Sequence, residues 1–214
     1  MPPNFVIVLD PGHDVRTAGK RSPDETLLEY RFNQEVVDRV LKLFKESRYK
    51  NITVLSTKSM TDQDVPLNQR CKFSNDSKAD LFISVHANAF NPVVERTDPK
   101  TGTAYRLYSN EWNHACGFEV YYRSPAGLKV AQICHQAYKE EIFQKFKIPD
   151  RGIKKTSGFY ILNRTAAPAI LIEFAFYTNK RECDLMKTDE FKNACVKVLE
   201  KTIIGFCRTA HSAP

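Results

Sequence analysis

Three apolar runs in this 214-residue chain each end on a side chain able to ligate a metal or move a proton. Phe5-Val6-Ile7-Val8-Leu9 leads into Asp10-Pro11-Gly12-His13. Leu81-Phe82-Ile83-Ser84-Val85 stops on His86, with Asn88 two residues further on. Ala169-Ile170-Leu171-Ile172 stops on Glu173. In an open α/β sheet, ligands and catalytic groups gather at the carboxyl ends of the strands. If these strands are parallel, His13, His86 and Glu173 share one rim, and two histidines with a carboxylate there read as a zinc site.

Glu29 joins them. Phe32, Val36, Val37, Val40, Leu41 and Phe44 repeat at helical period, which predicts an amphipathic helix from about residue 29 to 46. Glu29 falls in its first turn and on the apolar stripe, where a carboxylate is costly unless it is paired or coordinates a metal. Arg31, Glu35, Asp38, Arg39 and Lys42 fall mostly off that stripe. Each residue alone has a plainer use. His13 would serve as a hydrogen-bonded structural residue, Glu29 as an early-turn acid answering the helix dipole, and Glu173 as a partner of Arg151 or Arg164. His135 lies within a helix with no neighbouring ligand, His114 in a long connection and His211 in the tail, so these three read as non-ligands. The joint reading rests on four positions meeting at one rim.

The segments around those positions have a further meaning in combination. VIVLDPGH, the ExxxN of Glu29 to Asn33, VPLNQRCKFSN, ADLFISVHAN, GFEVYY, DRGIKK, FYIL and PAILIEFAFYTN follow one another between about residues 5 and 207. In that order the chain resembles the zinc-dependent N-acetylmuramoyl-L-alanine amidases of the cell-wall type 3 family, which cut peptidoglycan between glycan and stem peptide. The resemblance implies that His13, Glu29 and His86 hold zinc and that Glu173 is the catalytic carboxylate. Zinc held by three protein ligands keeps a position for water and lowers that water's pKa to about 7. Glu173 would take the proton and pass it to the departing amine, and its apolar neighbours on the strand would raise its pKa. Asp10 is a candidate hydrogen-bond partner for His13, and Gly12 would let backbone pass close to the metal. Two alternatives share the pattern: a zinc peptidase cutting another wall amide, and a wall-binding module that keeps the fold without catalysis.

Composition sets the frame. With 42% hydrophobic and 27% charged residues, the chain is an ordinary soluble globular protein of one domain. No apolar run approaches the ~20 residues that span a bilayer, so stable membrane insertion is not expected. Met1-Pro2-Pro3-Asn4 enters the first strand with no basic or apolar leader. The expectation is therefore synthesis in the cytoplasm without a signal peptide and action on the bacterial wall, as a phage endolysin or a stored host enzyme. A net charge of +7 suits an anionic polymer such as that wall. No basic run interleaved with stacking aromatics supports nucleic acid as the partner. Oligomeric state leaves no mark on the sequence. Cysteines 71, 116, 134, 183, 195 and 207 form no CxxC pair, which argues against a structural zinc site and for buried free thiols.

Strands and helices alternate, the signature of an α/β domain. The expected architecture is a mixed, mostly parallel six-stranded sheet flanked by helices, filling residues 1–207, with 208–214 a frayed tail. Ile52 to Ser56, Gly117 to Tyr122 and Ser157 to Leu162 supply the remaining strands, and helices run from about 64 to 77, 125 to 146, 178 to 187 and 189 to 207. No linker leads to a second module, so the chain reads as a bare catalytic domain. Residues 91–115 form an unusually long connection after His86. It is expected to border the substrate cleft, with Tyr105, Tyr108 and Trp112 offering contacts to sugar or peptide.

Overall fold

The computed structural model describes residues 4–15, 17, 20–47, 49–60 and 65–211, the side chains at positions 59, 60, 105, 107 and 108 excepted. In chain order the strands are β1 (Phe5–Pro11), β2 (Ile52–Ser56), β3 (Leu81–Asn88), β4 (Val93–Thr97), β5 (Ala104–Tyr108), β6 (Phe118–Tyr122), β7 (Asp150–Lys155) and β8 (Ala169–Phe176). The helices are α1 (Glu29–Glu46), α2 (Leu67–Asp76), α3 (Pro125–Tyr138), α4 (Gln144–Phe146), α5 (Tyr160–Arg164), α6 (Lys180–Met186) and α7 (Asp189–His211). A π turn, Lys139–Phe143, joins α3 to α4, and a 3-10 turn, Thr57–Met60, follows β2.

Six strands make one sheet in the order β2-β1-β3-β8-β6-β7. All neighbours are parallel except β6 and β8. The central strands are buried on both faces, which is why they read as unbroken apolar runs. One face is covered by α1, α3 and α7, which bury Phe32, Val36, Val40, Val130, Cys134, Phe191, Val198 and Leu199 against Ile7, Leu9, Ile83 and Ile172. The other face carries a smaller cluster, with Cys71 of α2 and Ile161 and Leu162 of α5 against Val8, Phe82 and Leu171.

The register fixes the rim. Because β1, β3 and β8 run the same way, their carboxyl ends lie together, and His86 pairs with Glu173. Strand β6 runs against β8, so its first residues meet the end of β8, and Glu119 pairs with Glu173. His86, Glu173 and Glu119 therefore stand in a row across three strands and on one face.

Three expectations are corrected. Ser157 to Leu162 is no strand: its apolar pair Ile161-Leu162 belongs to α5, packed beneath the sheet, and the strand lies earlier, at β7. β7 is an edge strand with Ile153 as its single large apolar residue, so its pattern hides among charges. The tail expected from 208 is helical as far as His211, because Cys207 and the turn before it still pack on the core; 212–214 lie outside the described residues. The connection 91–115 holds an antiparallel hairpin, β4 with β5, turned through Asp98, which accepts from the amides of Lys100 and Thr101. All six cysteines are free, and burial pushes the Cys134 thiol up to about 12.

Candidate metal centre and its row of carboxylates

His13 is placed by the turn that ends β1. The Gly12 amide donates to Val85 of β3, and its carbonyl accepts from Asn33 of α1 at 3.0 Å, so the turn is tied to a strand and a helix. No larger residue fits at position 12: a Cβ there would stand 2.1 Å from Cε1 of His86. His13 itself adopts φ +63, a left-handed conformation that a β-carbon disfavours and that tends to persist where function requires it. The two imidazoles meet edge to face, with ring centres 4.9 Å apart.

Glu29 enters from the first turn of α1. The loop before it is closed by the Arg21–Leu28 bridge and by the Glu29 amide donating to Lys20. Its carboxylate is 1% exposed at the residue level, and Oε1 lies 3.3 Å from His13 Nε2 and 3.1 Å from His86 Nδ1. The Ala87 amide donates to the same oxygen at 3.2 Å. Burial pushes Glu29 upward, yet the bonds to the two histidines outweigh it and hold the carboxyl low. Burial pulls His86 down, but its bond to Glu29 and the nearby Glu173 raise it overall. Asp24 and Glu25, just upstream, stay out of this group. Asp24 accepts from Ser22 Oγ and from Thr26, and Glu25 is exposed at the tip of the loop.

His13, Glu29 and His86 each offer a donor atom within 4.8 Å of the others, the one such group among the described residues. Two imidazole nitrogens and a carboxylate oxygen are the donor set of an open catalytic zinc site. Glu173 adds an independent sign that the site expects a ligand. Its Oε2 is buried with no hydrogen-bond partner, and burial pushes its carboxyl up to about 8, with Glu29 and Glu119 adding to the shift and His86 opposing it. A buried oxygen left unpaired is costly. The residues present fit a divalent metal.

Asp10 departs from expectation. Its partners are Thr57 Oγ1 at 2.7 Å, Arg70 at 3.0 Å and Ser84 Oγ at 2.8 Å, rather than His13. It points to the α2 face of the sheet, where Arg70 also donates to the Pro11 and Val65 carbonyls. Asp10 thus braces the turn through Arg70. Asn88 donates to Glu119 and accepts from the Ala89 amide. Trp112 packs against the main core with the Lys180 ammonium 5.5 Å from its ring centre. The side chains of Tyr105 and Tyr108 lie outside the described residues; their backbones pair in the hairpin with Arg96 and Val93.

The sequence reading assigned no role to Glu119. It is 2% exposed, and its two oxygens accept from Asn88, from Tyr121 at 2.8 Å, from Arg151 at 2.9 Å and from Lys154. Burial raises Glu119, but Lys154, Arg151 and Tyr121 more than reverse it and keep the carboxyl below its ordinary value. Arg151, one of the two partners proposed for Glu173, is committed to Glu119, while Arg164 lies over the Tyr160 ring. The one signal in the sequence was a charged residue inside an otherwise apolar strand. A concavity of about 820 Å³ lies elsewhere, between α3 and α7, lined by residues such as Lys129, Ile133, Lys201 and Ile204, with none of these groups in its wall.

The family model described as N-acetylmuramoyl-L-alanine amidase matches residues 7–204. The amidase CwlM of Bacillus licheniformis is 29% identical over 185 residues, covering 86% of this chain and 62% of the relative. The endolysin of Bacillus phage SPP1 is 30% identical over 196 residues, covering 88% and 60%. The chain thus spans less than two thirds of the length of either curated relative. Among solved structures, the catalytic domain of the amidase CwlV from Bacillus (Paenibacillus) polymyxa shares the fold, with a TM-score of 0.76 at 24% identity over 94% of this chain and 97% of that one. With nearly its whole length matched by the family model and its sheet superposed on a member's, the chain belongs to the N-acetylmuramoyl-L-alanine amidase family.

Proposed function

We propose that the protein is a zinc-dependent hydrolase of the amide bond between N-acetylmuramic acid and L-alanine in bacterial peptidoglycan, with Glu173 as its acid–base residue. The observation that carries this is the unpartnered, buried Glu173 oxygen beside a three-donor group, in a rim where Asp10 and Glu119 are both fully engaged. His13, Glu29 and His86 would hold the ion, which when bound supplies Lewis acidity toward the amide carbonyl and acidifies a water. The chain's own residues do the rest. A carboxyl raised toward neutrality can accept a proton from the attacking water and return it to the leaving nitrogen. The hairpin of β4 and β5, reached directly from β3, would border the cleft and contact the polymer.

No described helix is long and apolar enough to cross a membrane, and a charge of +7 draws the chain toward an anionic wall. Digestion of purified peptidoglycan with and without a chelator tests the reading. New L-alanine amino termini on intact glycan strands, lost on chelation, are expected. New amines at another residue would make it a peptidase, new reducing sugar ends a glycosidase, and binding without cleavage a wall-binding module.

A further inference from the structure

Beyond Glu173 the row continues into a patch of positive charge. Arg151 and Lys154, both from β7, converge on Glu119, so two cations face one carboxylate. Glu119 is sealed, with 3% of its side chain exposed, whereas the cations keep 39% and 36% of theirs in solvent. Their positions are fixed from behind as well. The Arg151 guanidinium lies 5.0 Å over the Phe176 ring, and the Lys154 ammonium 5.6 Å over that of Tyr121. The result is a preorganised pair carrying one positive charge more than its carboxylate neutralises, open on one side.

Its place on the rim gives it a use. Glu119 pairs with Glu173 across β6 and β8, and β7 is the next strand out. Strands lie about 4.8 Å apart, which sets the cations one to two spacings, roughly 5–10 Å, from Glu173. Two residues of extended peptide reach about 7 Å. We propose that Arg151 and Lys154, clamped on Glu119, form a subsite for a carboxylate on the second residue of the peptide that leaves the scissile amide. This rests on the amidase reading above, which sets the scissile amide beside Glu173. A fixed guanidinium and ammonium accept a carboxylate with charge-assisted bonds and little ordering cost, and a carboxamide offers them no charge.

The experiment uses the zinc-loaded chain and two synthetic muramyl tripeptides, identical except that the second residue carries a free α-carboxylate or a carboxamide. Wild type is expected to favour the acid by at least about tenfold in kcat/KM, mostly through KM, the range of a hydrogen bond to a charged group. Lys154→Met and Arg151→Gln should each bring the two substrates to within about threefold of one another, and Lys154→Arg should restore the preference. The ratio is internal to each protein, so a general loss of structure does not mimic the effect. Calorimetric binding of the two free peptides to the same proteins should show the same discrimination without turnover. Equal kinetics for both substrates in wild type, or a preference that persists in both variants, overturns the subsite while leaving the amidase reading in place. If wild type cuts neither substrate at the muramyl–alanine bond, the amidase reading fails and the subsite falls with it.

Discussion

Glu173 and Glu119 stand opposite each other on neighbouring strands and on the same face, Glu119 buried and Glu173 with its Oε2 buried, and the protein treats them in opposite ways. Glu119 receives donors from three strands and is held ionised. Glu173 has one oxygen with no donor and is pushed toward its neutral form by burial and by two nearby carboxylates. The difference is one of supply. Arg151 and Lys154 are spent on the first carboxylate, which leaves the second underneutralised beside two histidines. A saturated acid is a structural strut; an unsatisfied one is able to exchange a proton near neutral pH.

The comparison has a catalytic meaning only if the group beside Glu173 holds a metal, so the largest effect is expected at Glu29. Glu29→Ala removes the one oxygen that touches both imidazoles and Ala87. Hydrolysis should fall below detection and bound zinc, measured by atomic absorption after desalting, should fall well below one per chain. Stoichiometric zinc in an inactive Glu29→Ala protein would take the carboxylate out of the donor set.

Next comes Glu173→Gln, which keeps shape and burial while removing the exchangeable proton. Hydrolysis should drop by about a hundredfold or more, the lower range for a positioned acid–base group. Zinc content and melting temperature should stay near wild type, because no hydrogen bond to Oε2 is lost. Wild-type turnover in this variant would end its catalytic assignment.

Glu119→Gln should show the reverse pattern, costing stability before chemistry. It strips the counter-charge from Arg151 and Lys154, and unfolding in urea should reveal a loss of about 1–3 kcal/mol at neutral pH. The pH dependence has a definite sign. Glu119 is held below its ordinary 4.5 in the folded protein, so its contribution is present above that value and is lost as pH falls further. Wild type and variant should therefore converge in stability as pH falls below 4.5 and through the lowered value. A gap that stays constant throughout the acid range where wild type remains folded would mean that Glu119 acts through packing alone.

How far these roles were legible in the sequence depends on where each residue's partners lie. The positions of His13, His86 and Glu173 were legible because each follows or interrupts the apolar run of a strand buried on both faces, where a polar side chain stands out. Glu29 was legible from helical phase, since a lone acid on an apolar stripe stands out. Glu119 was not, because all its partners but Tyr121 sit 31, 32 and 35 residues away on β3 and β7. Asp10 was misassigned for the same reason: three residues from His13 in sequence, it is claimed by Arg70, sixty residues on and across the sheet. The hairpin and β7 went unread because exposed or edge strands carry no continuous apolar run. Burial writes itself into sequence; polar partnership between distant strands does not.

The smallest effect tests the same contrast within a single loop. Asp24, Glu25 and Glu29 fall within six residues, and Glu29 alone of the three is buried. Glu25 sits at the loop tip with φ +57, a conformation that costs a residue with a β-carbon about 1–2 kcal/mol. Among the described residues its carboxylate pairs with Arg21 at 3.5 Å, an exposed pair of little weight. Glu25→Gly relieves that strain but loosens the unfolded chain by roughly 0.4–1 kcal/mol, so stability should rise by less than about 2 kcal/mol. Hydrolysis and zinc content should not change at all, since the loop is closed by Ser22 bonding to Leu27 and Asp24 bonding to Thr26, neither of which involves the Glu25 side chain. Loss of zinc in Glu25→Gly would move the third donor upstream and show that α1 presents the wrong acid to the histidines. Retained zinc there, set against its loss in Glu29→Ala, would locate the donor by burial rather than by residue type.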